Sequence, residues 1–343
     1  MKRPTPAFWR GRRVLVTGHT GFKGAWLALL LTRLGAHVTG IALPAGEPSL
    51  FHILRDRMII SHRHLDINAP GLAPLMASAR PEITFHLAAQ ALVPAGFADP
   101  KGTFSTNLSG TIAVLQALRG LDSLAAVLVT TDKVYRNDAT GRRFREDDPL
   151  GGHDPYSASK AAAELAIACW RSSFPADLPP LGAARAGNVI GGGDFAPGRL
   201  LPDIIRSLDA KPLELRHPHA TRPWQHVLDV LVGYLLYAEH LAAGNQLDSL
   251  NFGPSETDEA SVADLIAACA AALGQNLPWR HVAAPPEAPR LALDASLARK
   301  TLQWQPVMNR SAAIAATTAW YAAWRRGEDV AALCDQQASA ALA

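Results

Sequence analysis

Apolar and polar positions alternate along the first half of the chain in short bursts. Val14-Leu15-Val16 is an aliphatic, β-branched run ending in glycines, and Trp26 to Leu34 then carries enough apolar residues for a buried helix. A second strand is predicted at His37 to Ala42 and a third at Thr84 to Leu87. Thr111 to Leu118 has a helical pattern, and Ala125 to Thr130 reads as a fourth strand. Short apolar runs alternating with helical segments argue for βαβ units and a parallel sheet covered on both faces.

After about Pro175 the texture changes. P-A-D-L-P-P, G-G-G-D-F-A-P-G and H-P-H-A-T-R-P-W are loops dense in Gly, Pro and His. The expectation is an α/β protein: a Rossmann-type, doubly wound parallel sheet with a smaller C-terminal substrate-binding α/β domain. The first is assigned to 1–182 with a return segment near 226–252, the second to 183–225 and 253–343. Val227 to Leu241 and Ser261 to Leu273 look helical, and the alanine-rich end, with Trp320 and Trp324 four residues apart, reads as a packing helix.

Composition narrows this picture. At 48% hydrophobic and 18% charged the 343-residue chain is globular in type, and its 33 basic and 30 acidic residues form no basic block of the kind that marks nucleic-acid binding. The longest apolar stretch, Ala25 to Leu31, is seven residues, against the roughly 20 that a bilayer requires. Cys169, Cys269 and Cys334 lie far apart without C-x-x-C spacing, so neither a metal site nor a disulfide framework is expected. The basic amino terminus lacks an apolar core for export, and a cytoplasmic location is the expectation.

Three groups of residues carry candidate chemistry. In V-T-G-H-T-G-F-K-G, Gly18, Gly21 and Gly24 follow a strand and precede a helix, where glycines let the backbone approach a pyrophosphate at a helix amino terminus. In Y-S-A-S-K, Tyr156 and Lys160 stand one helical turn apart on one face. The lysine charge there is expected to lower the phenol pKa from its reference near ~10. T-T-D-K-V-Y sets Thr131, Asp132 and Lys133 at the carboxyl end of a strand, where parallel sheets open into ligand crevices.

The G-x-x-G-x-x-G spacing resembles that of extended short-chain dehydrogenase/reductase proteins. Leu87-Ala88-Ala89-Gln90 resembles their cofactor-lining segment and Asp66-Ile67 their adenine-contacting pair. T-T-D-K, G-G-H-D-P-Y-S, R-A-G-N-V-I-G-G-G-D and H-A-T-R-P-W-Q-H-V resemble the CDP-glucose 4,6-dehydratase branch over nearly the whole chain. The resemblance implies NAD as cofactor, held also by Thr20, Phe22, Lys23, Asn107, Tyr156 and Lys160. It implies a sugar-nucleotide substrate met by Asn188, Arg199, Arg222, Gln225 and Arg290, and a homodimer paired through the helices at Thr111 and after Tyr156. It further implies oxidation at sugar carbon 4 by Tyr156 with Lys160 and Thr131, then loss of water across carbons 5 and 6 with Lys133 as base and Asp132 as acid.

Some positions depart from that pattern. The second strand ends G-I-A-L-P-A-G, with no carboxylate for the ribose until Glu47, while Lys23 is of a kind to tolerate a 2′-phosphate; NAD over NADP therefore rests on the resemblance. Val93-Pro94-Ala95-Gly96-Phe97 replaces polar residues of the branch, and Pro286 stands where a His is usual beside Glu287, Ala288 and Asp294, which bears on recognition of the base. A nucleotide-sugar 4-epimerase, a dehydratase of shifted substrate specificity and a non-catalytic dinucleotide-binding protein remain the other readings of these residues.

Overall fold

The structure, a computed structural model, describes residues 2–209, 212–283 and 288–343; Pro286 and Glu287 lie outside the described residues. Its centre is a seven-stranded sheet: β1 (Arg13–Thr17), β2 (His37–Ala42), β3 (Ile60–His64), β4 (Ile83–His86), β5 (Ala125–Val129), β6 (Leu181–Ala186) and a last strand, Ser249–Phe252. From one edge the order is Ser249–Phe252, β6, β5, β4, β1, β2, β3, and every pairing is parallel. The winding reverses between β1 and β4, so the loops after these strands diverge and leave a crevice at their carboxyl ends.

Helices cover both faces. On one, α1 (Phe22–Arg33) and a later helix, Val227–Ala242, bury most of their residues, with Trp26, Leu30, Leu231 and Tyr234 in a common apolar core. On the other, α2 (Gly110–Leu118) and α3 (Pro155–Ser173) place Val114, Leu115 and Ile167 against Leu15 and Leu128. A separate cluster built on Ile204, Leu215, Trp224, Leu265 and Ile314 forms in the carboxyl-terminal segments. The alanine-rich end is two helices, Arg310–Arg325 and Val330–Leu342, and the first buries Trp320, whose indole N–H donates to Cys334 Sγ.

Three strands escape the hydrophobic pattern. β3 reads I-S-H-R-H because it is an edge strand with mostly half-buried or exposed residues. β6 reads L-G-A-A-R-A, fully buried yet small: a Cβ on Gly182 would stand 1.8 Å from the Tyr237 hydroxyl of the helix packed over it. Ser249–Phe252 is buried throughout but only four residues long. The sheet therefore runs on past residue 182 through β6 and ends with Ser249–Phe252, which pairs with β6.

Candidate active site

Backbone builds the first wall of the crevice. Gly18, at φ +76°, turns the chain out of β1, and a Cβ there would meet the Ala88 amide nitrogen at 2.6 Å. One on Gly24 would stand 2.1 Å from the Gly18 carbonyl oxygen. Gly21 opens α1 without a side-chain cap, which leaves first-turn N–H groups facing the cleft. The cleft, about 1090 Å³, is lined here by Gly18, Thr20, Gly21, Phe22, Lys23 and Gly24, and farther along by Asp66 and Ile67 and by Leu87, Ala88, Ala89 and Gln90. This narrow glycine cradle with free helix N–H groups fits the pyrophosphate of a dinucleotide.

Side chains build the opposite wall. Asp154 caps α3, accepting from the Ser157 amide at 3.0 Å, and so turns Tyr156 and Lys160 to the buried face. Lys160 Nζ donates to the Val129 carbonyl at 3.0 Å, and burial lowers its pKa to about 8. Beyond β5, Thr131 caps a short turn over Asp132–Val134 and its hydroxyl donates to Asp132 Oδ1 at 3.0 Å. Burial pushes the Asp132 carboxyl above the usual carboxylate range, although Lys133, Thr131, Arg222 and Lys23 all oppose the shift. Thr131, Asp132, Lys133, Tyr156, Lys160, Asn188, Arg199 and Arg222 all line the same cleft as the glycines.

Several expectations require correction. The Tyr156 phenol is raised, not lowered: burial dominates, and the groups working against it are a hydrogen bond with Thr131 and the charge of Arg199, with Lys160 turned instead to Val129. Lys23 stands among charged side chains of the opposite wall. It lies within electrostatic range of Arg199, Asp132, Lys160 and Asp194, and burial with the neighbouring cations lowers its pKa to about 7. Asn107 stands behind the wall, in a π turn (Ser105–Ser109), and holds Gln90 from both sides: Gln90 N–H to Oδ1 at 2.9 Å, Nδ2 to the Gln90 carbonyl at 3.0 Å.

Two of the five expected substrate contacts also lie outside the cleft. Gln225 is buried with its amide donating to the Phe252 carbonyl at 2.7 Å. Arg290 is committed to Glu259 at 2.8 Å and to the Gly141 carbonyl. In both cases the polar end is used to tie segments together. Conversely, Asp194, Arg216, His217 and Trp224 line the cleft without having been assigned. The G-G-G-D and R-H-P-H-A-T-R-P-W runs that contain them were visible, but nothing in spacing distinguishes a loop Asp or His that reaches a cleft from one that does not. Among the described residues no group of His, Cys, Asp and Glu is placed to hold a metal ion, and no helix is long and apolar enough to cross a membrane.

Residues 14–253 match the model of the NAD dependent epimerase/dehydratase family. The chain belongs to that family. It is 41% identical over 340 residues to a CDP-glucose 4,6-dehydratase of Salmonella typhimurium, with 94% of each chain covered. To a dTDP-glucose 4,6-dehydratase of Xanthomonas campestris pv. campestris it is 28% identical, covering 90% of this chain and 92% of the other. Among solved structures, the dTDP-glucose 4,6-dehydratase DesIV of Streptomyces venezuelae, with NAD bound, superposes with a TM-score of 0.81 at 24% identity over 93% of this chain and 99% of that one. That last likeness bears on the fold alone, a Rossmann-type parallel sheet with flanking helices.

Proposed function

We propose that this family member is a hydro-lyase that converts CDP-glucose to its 4-keto-6-deoxy product, with NAD held along the glycine cradle by Gly18, Thr20, Gly21, Phe22 and Gly24 and along Asp66, Ile67 and Leu87 to Gln90. The observation that carries the reading is the Thr131–Asp132–Lys133 turn, facing Tyr156 across one cleft. A 4-epimerase needs a base only at carbon 4; a dehydratase needs an acid and a base at carbons 5 and 6 as well, and this turn supplies both. Similarity to a CDP-glucose dehydratase at 41%, against 28% for a dTDP-glucose enzyme, supports the cytidine nucleotide.

Bound NAD supplies the hydride acceptor for carbon 4 and the same hydride for carbon 6. The residues move the protons. Tyr156, acting as the phenolate that a hydrogen bond with Thr131 and the charge of Arg199 favour, takes the carbon 4 hydroxyl proton; Lys133 takes the carbon 5 proton made acidic by the new ketone; Asp132, whose carboxyl burial shifts towards its protonated form, gives a proton to the departing carbon 6 hydroxyl. Asn188, Arg199 and Arg222 are the substrate-facing groups, the arginines matching a diphosphate through their planar forks. In this reading residues 1–182 and 226–252 carry the cofactor, and 183–225 with 253–343 the sugar nucleotide.

The deciding experiment incubates the protein and NAD with CDP-, UDP-, GDP- and dTDP-glucose and follows product mass. Loss of one water from CDP-glucose supports the proposal; unchanged mass with inversion at carbon 4 makes the chain an epimerase; loss of water from another donor alone moves the base specificity. We also propose a cytoplasmic homodimer paired through α2 and α3, because α3 turns Leu165 and Cys169 outward beside half-buried Ala158 and Ala162. Sedimentation equilibrium showing a monomer at micromolar concentration would remove that part.

A further inference from the structure

Lys160 is buried, and so is Glu164 one turn farther along the same face of α3. The carboxylate of Glu164 is held from three directions. The Thr130 hydroxyl donates to its Oε1 at 2.5 Å; Arg185 Nε, from β6, lies 2.9 and 3.0 Å from its two oxygens; Arg185 Nη2 donates to Oε2. Arg185 is fixed in turn, since its Nη1 donates to the Tyr135 hydroxyl at 2.7 Å and to the Glu146 carbonyl at 2.9 Å. Tyr135 then donates to Asn251 Oδ1 at 2.6 Å, and Asn251 Nδ2 donates to the Phe144 carbonyl at 2.9 Å. A buried carboxylate is thus locked one helical turn beyond Lys160 by β6, by Thr130 just before the Thr131–Asp132–Lys133 turn and by the loop around 144–146.

The surroundings of Lys160 make that anion consequential. Lys23 on α1 and His86 on β4 lie within electrostatic range, and neither favours a second cation. Among the groups that shift Lys160, burial works against the charged form and Glu164 alone works for it. An ammonium ion in such a place keeps its charge only if an opposite charge stands close.

We propose that Glu164 keeps Lys160 in its charged state, and that Arg185 and Thr130 are there to hold Glu164 in position for it. Glu164 is on this account a positioning residue, acting through Lys160 on the chemistry assigned to Tyr156, and in that respect the inference rests on the proposed reaction. The electrostatic part can be tested without any substrate. The chain has seven lysines, so protein labelled with carbon-13 at lysine Cε and saturated with NAD gives few enough signals to follow Lys160 through a pH titration, with Lys160→Met identifying the peak. Lys160 should titrate below the ordinary lysine value in the parent protein. Glu164→Gln, which can keep the hydrogen bonds but not the charge, should lower that midpoint by roughly one pH unit. Glu164→Asp, which keeps the charge while disturbing the packing more, should leave it close to the parent value.

If Glu164→Gln does not fold, Glu164→Met with Arg185→Met removes both charges in favour of apolar side chains of similar length, an exchange buried pairs often tolerate, and the same downward shift is expected. An unmoved midpoint in the variant that folds overturns the proposal, as does a midpoint that falls equally in Glu164→Asp. Activity gives an independent reading: the alkaline limb of the pH profile should move acidward with Glu164→Gln, whereas a purely structural role lowers kcat at every pH and leaves the limb where it was. Should no sugar nucleotide react, the proposed function fails while the lysine titration still decides the role of Glu164.

Discussion

The wall of the cleft that follows β1 and the wall that follows β5 are made of different materials. The first is peptide: glycines brought so close that a single added methyl would collide with the backbone of Ala88 or Gly18, and helix N–H groups left open. The second is ionisable side chains driven below the surface, where Asp132, Tyr156 and Lys160 are each pushed towards their neutral forms. A wall of backbone is spoiled by adding atoms and fails as geometry. A wall of side chains is spoiled by deleting one polar atom, and the fold survives.

The sharpest test of that contrast removes only the Tyr156 hydroxyl. Tyr156→Phe keeps the ring and its packing, so NAD affinity, read by calorimetry, should change by less than a factor of about three, while turnover should fall on the order of 1,000-fold, within the range for loss of a proton-transferring group. Gly24→Ala addresses the other wall. Its Cβ would stand 2.1 Å from the Gly18 carbonyl oxygen, and backbone cannot swing aside as a side chain can. Overpacking of this kind costs about 1–3 kcal/mol, so NAD affinity should fall roughly 10- to 100-fold, and the turnover of whatever fraction is saturated should change little. Equal effects of both variants on binding and on turnover would break the distinction between the walls.

The same contrast explains what could be read from the chain beforehand. Glycine spacing survives as pattern because steric exclusion acts residue by residue, and Gly18, Gly21 and Gly24 stand where that pattern puts them. Tyr156 and Lys160 are legible because helical period alone sets them on one face. Their electrostatics are not: whether a lysine lowers the phenol depends on where its ammonium is turned, and here it is turned to the Val129 carbonyl, a strand distant in sequence. Arg290 and Gln225 show the same limit, since a polar end can serve Glu259 or the Phe252 carbonyl as readily as a ligand. β3 and β6 were hidden for opposite reasons, the one too polar at the sheet edge and the other too small under Tyr237.

Asp132 allows the smallest and most specific check on the side-chain wall. Burial raises its carboxyl pKa, so the folded chain holds a proton there more tightly than the unfolded chain does. Stability drawn from that proton is complete below the unfolded pKa of about 3.9 and is lost as pH rises through the higher folded value. Once pH has risen through that folded value, the buried charge is therefore a burden on the fold. Asp132→Asn removes the charge at nearly constant shape, and above the folded pKa its thermal midpoint should exceed that of the parent by roughly 2–4 °C, corresponding to about 1 kcal/mol, even as dehydration is lost. Near pH 4 the parent's own carboxyl is protonated and the two midpoints should converge. If Asp132→Asn is instead the less stable protein above the folded pKa, then Lys133, Arg222 and Lys23 outweigh burial, Asp132 works as an anion, and the proton for the departing carbon 6 hydroxyl comes from another group in the cleft.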